Sequence, residues 1–105
     1  MNSLVLQAQL IERSAIRYTP AGLPVLDFLL KHSSQIIQES QPRKVDFEIK
    51  ARIVGALIHR LASVALGSSI GFAGFIGSHR NGKGILFHVI EIDESPDSIP
   101  TASTN

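Results

Sequence analysis

Ile16-Arg17-Tyr18-Thr19-Pro20-Ala21-Gly22-Leu23-Pro24-Val25-Leu26-Asp27-Phe28 is the stretch on which the fold turns. Pro20 fixes φ and Gly22 accepts positive φ, so Thr19-Pro20-Ala21-Gly22 reads as a tight turn. The segments on either side would pair antiparallel as a long hairpin. Arg17 and the single tyrosine, Tyr18, stand beside that turn. A cation next to an aromatic ring at a hairpin tip suits single-stranded nucleic acid, through phosphate contact and base stacking. It equally suits a well-made turn with a solvated rim.

Before the turn, residues 3–12 alternate, with Leu4, Leu6, Ala8 and Leu10 on one side and Gln7 and Gln9 on the other. After it, Val25 to His32 puts Leu26, Phe28 and Leu30 on one face and Asp27 and Lys31 on the other. Residues 33–44 are polar, include Pro42, and read as a long loop. The cleanest alternation is at 45–54: Val45, Phe47, Ile49, Ala51 and Ile53 inside, Asp46, Glu48, Lys50 and Arg52 outside. Leu57, Leu61 and Val64 recur at helical spacing, which predicts a short helix over 56–66.

Ile70, Phe72, Gly74 and Ile76 begin a glycine-rich strand, a pattern that marks a bulge or a barrel corner. Phe75 falls out of phase with that set and is expected at the surface. Residues 78–84 carry an Asn81-Gly82 turn, and Ile85 to Ile92 is the last strand. Residues 1–93 are thus one domain, and 94–105 form an acidic, polar tail expected to be disordered. Five strands with a helix between the third and fourth is the element order of an all-β, five-stranded OB-fold Greek-key barrel. An open α+β sheet built from the same elements is the rival.

Composition narrows the function. None of the 105 residues is cysteine, which excludes disulfides and thiolate chemistry and fits a reducing cytoplasm. The first residues lack a basic region, so no signal peptide is expected, and no apolar run approaches the ~20 residues that span a bilayer. Net charge is +1, but residues 1–92 hold ten Lys and Arg against six acids, +4 in all. Mild basicity permits phosphate binding. His32, His59, His79 and His88 have no metal-ligand spacing, and no nucleophile elbow or P-loop occurs. No cofactor, metal site or enzymatic activity is expected.

The cations form three groups: Arg13 with Arg17, Arg43 with Lys44, and Arg80 with Lys83 beside His79. In an OB barrel the first and last groups lie on the two loops that bound the binding groove, and Lys31, Lys50 and Arg52 would join its floor. Phe28, Phe47, Phe72 and Phe87 fall on apolar faces and are expected in the core, leaving Tyr18 as the best stacking ring.

Asn2 to Leu6, Arg17 to Pro24, Phe28 to His32, and Leu66-Gly67-Ser68 to Gly74-Phe75-Ile76 resemble the bacterial single-strand-binding OB-folds. The resemblance covers residues 2–92 and is nearest to the primosomal replication protein N (PriB) family. It implies a homodimer that binds single-stranded DNA and helps the restart helicase PriA and a helicase-loading protein assemble. It also implies DNA contacts at Arg17, Lys31, Arg80 and Lys83, and dimer formation through an edge strand, either the first or that of residues 45–54. Some members carry a stacking tryptophan where this chain has Val45-Asp46-Phe47. That departure leaves open a second reading, a protein-interaction module with weak DNA binding.

Overall fold

A computed structural model describes residues 1–79, Gly82 and 84–94. Its strands are β1 (Leu4–Arg13), β2 (Arg17–Tyr18), β3 (Pro24–Gln38), β4 (Gln41–Val54), β5 (Ser69–Ser78) and β6 (Ile85–Asp93), with α1 (Ile58–Ala62) between β4 and β5. Neighbouring strands run in the order β1-β5-β6-β4-β3, and pairing of β1 with β3 closes the barrel. This is the five-stranded OB architecture. The open sheet is excluded because closure leaves no free pair of edges running the length of the structure.

Alternation explains the core. Leu6, Ala8 and Leu10 of β1, Leu26, Phe28 and Leu30 of β3, and Ile49, Ala51 and Ile53 of β4 all point inward and are buried. Phe28 and Phe72 meet at a ring-centroid distance of 6.0 Å. Ile58, Leu61 and Val64 plug one end of the barrel. The helix is shorter than 56–66: the chain on either side of it is held by tighter bonds between residues three apart, such as His59 N–H to the Ala56 carbonyl and Val64 N–H to the Leu61 carbonyl. Arg13 anchors it, donating to the carbonyl oxygens of Leu61 (3.2 Å) and Val64.

The turn at 19–22 forms as expected. The Gly22 N–H donates to the Thr19 carbonyl at 2.8 Å, and Gly22 has φ of 88°. The hairpin it belongs to differs in detail. β1 pairs with β3 from Gln9–Lys31 to Arg13–Phe28, and the two-residue β2 folds back onto Val25 and Pro24.

Residues 33–44 are not a loop. β3 and β4 stay paired from Val25–Val54 out to Gln38–Gln41, and Glu39 and Ser40, both at positive φ, make a two-residue turn. The ladder's backbone hydrogen bonds hold this arm, although neither face is covered. Its residues are exposed or half-buried, so the polar composition that suggested a loop is that of a strand pair wet on both sides. Phe47 is a second correction. It lies where β4 leaves the barrel and is exposed, tilted against His32 at 5.1 Å, rather than in the core.

Candidate nucleic-acid interface

The outer face of β3 and β4 carries a ladder of polar pairs fixed by register: Asp27–Arg52, Leu29–Lys50, Lys31–Glu48 and Ser33–Asp46. Across it runs a groove of about 370 Å³. Its floor is Asp27, Leu29, Lys50 and Arg52. Glu12, Arg13 and Ser14 bound it on the side of the β1–β3 connection, and His79 and Leu86 on the side of the β5–β6 hairpin. The groove therefore lies between the two loops expected to flank it.

Asp27 organises the charges. Its carboxylate accepts from Arg52 Nε at 2.7 Å and from Arg17 Nη2 at 2.9 Å. Partial burial pushes the Asp27 carboxyl up, but the hydrogen bonds and charges of Arg52 and Arg17 outweigh it and hold it below the usual carboxylate range. Both guanidiniums are thus oriented over the groove face by one anion. Lys50 is exposed and has no ion pair among the described residues.

The structure brings only part of the expected set together. Arg17, Lys31, Lys50 and Arg52 share the outer face. Arg13 lines the groove, but its guanidinium is committed to the carbonyls behind α1. Tyr18 is 68% exposed, and by strand alternation it points away from the side to which Arg17 reaches. Lys44 lies on the outer face but six residues along β4 from Lys50, ~20 Å away on the arm, where it faces Asp46 at 3.9 Å. Arg43 takes the opposite face of the arm. Arg80, Lys83 and the tail beyond Glu94 lie outside the described residues.

Sequence reasoning placed His79 on the bounding loop but missed Glu12, Ser14, Asp27, Leu29 and Leu86 as groove residues. Asp27 was legible as outward-facing. Its partnership with Arg52 depends on a register between residues 25 apart. The histidines are also less isolated than their spacing indicated. His32 lies 2.6 Å from the Gln7 carbonyl and 2.9 Å from Ser34 Oγ, and His88 stacks on Phe75.

A closed five-strand barrel with a short helix between its third and fourth barrel strands is an OB-fold. A family described as "Another single-strand binding protein family" matches residues 2–91. The replication restart protein PriB of Bordetella pertussis is 41% identical over 80 residues, 76% of this chain and 75% of the relative. The solved structure of PriB from Ralstonia solanacearum superposes with a TM-score of 0.80 at 35% identity, covering 89% of this chain and 96% of that one. The single-stranded DNA binding protein of Thermus aquaticus gives a TM-score of 0.70 at 26% identity over 89% of this chain and 49% of its own. The chain belongs to the single-strand binding protein family and, within it, to the replication restart proteins of the PriB type.

Proposed function

We propose that this chain is a non-catalytic accessory protein of the replication-restart primosome that binds single-stranded DNA. In this reading it acts in the cytoplasm as a homodimer, steadies the restart helicase PriA on DNA and helps recruit the helicase-loading machinery. The observation that carries the DNA-binding part is the groove. It crosses the strands between two loops, with Lys50 and Arg52 on its floor and Arg17 and Lys31 on the same face. Arg80 and Lys83, which follow the groove-lining His79 within four residues of sequence, are part of the proposed DNA-binding set. The names of the relatives, replication restart and single-stranded DNA binding, support the assignment.

Glu12 and Asp27 in the same groove favour a second reading, in which DNA binding is weak and protein partners dominate. Fluorescence polarisation of a labelled thymidine oligomer at several salt concentrations separates the two. Binding at low salt should weaken as salt rises, with a log–log slope of ~0.7 for each phosphate contacted. Charge reversal at Lys50, Arg80 and Lys83 together should abolish it without unfolding the barrel. An absence of binding at low salt, with capture of the purified helicase retained, would assign the second reading.

A further inference from the structure

Phe75 and His88 have no part in the barrel's core. They face each other across β5 and β6, with ring centroids 4.8 Å apart and planes 11° from parallel. Phe75 is 40% exposed. One face of the phenyl ring is covered by a second flat ring, and the rest of it is partly open to solvent. Gly77 leaves room for that arrangement: a Cβ there would lie 3.0 Å from His88 Nε2, a tight contact that would press on the imidazole.

The pair is also placed in line with the groove. Arg52 is the register neighbour of His88 on the parallel β4–β6 edge. Arg52 in turn holds Asp27, which holds Arg17. Phe75, His88, Arg52, Asp27 and Arg17 therefore form one row across the outer face. From β5 to β3 the row spans three strand spacings, ~14 Å. On the next step along β5 and β6, Gly77 pairs with Leu86, a groove-lining residue, and offers no side chain to close off the approach.

We propose that the Phe75–His88 stack is a nucleobase platform that extends the single-stranded DNA path beyond the loop-bounded groove. The inference rests on the DNA-binding reading above. A base set against the exposed side of Phe75 would lengthen a stack that already exists, and its flanking phosphates would lie toward Arg52. Stacking of this kind tolerates any base, because every base has a π face.

The chain contains no tryptophan, so Phe75→Trp installs a single reporter at the platform. Titration with a thymidine oligomer should quench its fluorescence saturably, and a length-matched abasic oligomer should quench it far less. Phe75→Leu should weaken thymidine-oligomer binding about 5- to 150-fold, leave binding of the abasic oligomer unchanged, and keep the salt slope of the parent. Phe75→Tyr should restore affinity. The proposal is overturned if a folded Phe75→Leu protein binds the thymidine oligomer as the parent does. It is also overturned if Phe75→Leu weakens both oligomers equally, since a loss blind to bases is not stacking. Failure of the parent protein to bind any oligomer overturns this inference together with the reading beneath it.

Discussion

Asp27 decides more about this surface than any single cation does. It anchors Arg17 and Arg52, and a phosphate that reached either guanidinium would compete with it. Asp27→Asn should therefore tighten binding to a thymidine oligomer severalfold and steepen the salt slope by up to ~1.4, as two cations become free for phosphate. The same change should lower the melting temperature at neutral pH. Because the folded carboxyl is held low, its stabilising contribution is fully present above its ordinary range near 3.9 and is lost as pH falls through the lowered value. The gap in melting temperature between parent and variant, followed by circular dichroism, should close below that value. Sequence reading found both arginines but treated them as available. Their partner stands 10 residues from Arg17 and 25 from Arg52, and only strand register joins the three.

At the scale of elements, the glycine-rich β5 bears out its reading. The register between β5 and β6 shifts between Ala73 and Gly74. There the backbones approach so closely that a Cβ on Gly74 would collide with the His88 carbonyl oxygen. Gly74→Ala should cost about 3 kcal/mol in urea denaturation, since the strand cannot move without opening the barrel. Val45, Phe47 and the polar run before them show the opposite case. Alternation placed Val45 and Phe47 inside, yet the barrel ends near Ile49 and the two strands run on as an arm without a core. Periodicity reports which side a residue faces and not whether anything lies on that side. The run from Ser33 to Lys44 looked like a loop because strand formation there depends on a partner strand instead of on burial.

At the scale of the molecule, closure is partial, and among the described residues both β1 and the β3–β4 arm keep open edges. β1 is paired to β5 from Leu4 to Gln9 but meets β3 only from Gln9 onward, so residues 4–8 present an unpaired edge. Val5 beside it is 77% exposed. If the proposed homodimer forms through this edge, two copies bring their Val5 side chains near one another. Val5→Glu should then shift sedimentation velocity from dimer to monomer with the barrel's melting temperature nearly unchanged. An unaltered dimer would point to another edge. The 45–54 strand is the other candidate: it is paired to β3 along one side and meets β6 only at Ala51 and Arg52, which leaves residues 45–50 as a second open edge. What the sequence determined by itself was local. The Pro20–Gly22 turn follows from backbone sterics, the strands from apolar alternation, and the order of elements from where those signals stop. What only the tertiary structure decided was whatever needs two distant segments to meet: the Arg17–Asp27–Arg52 row, the Phe75–His88 stack, the commitment of Arg13 to the helix and the reach of the β3–β4 arm. Each depends on register and closure, which are set by pairing energies summed over the whole barrel and leave no mark on any one stretch of chain.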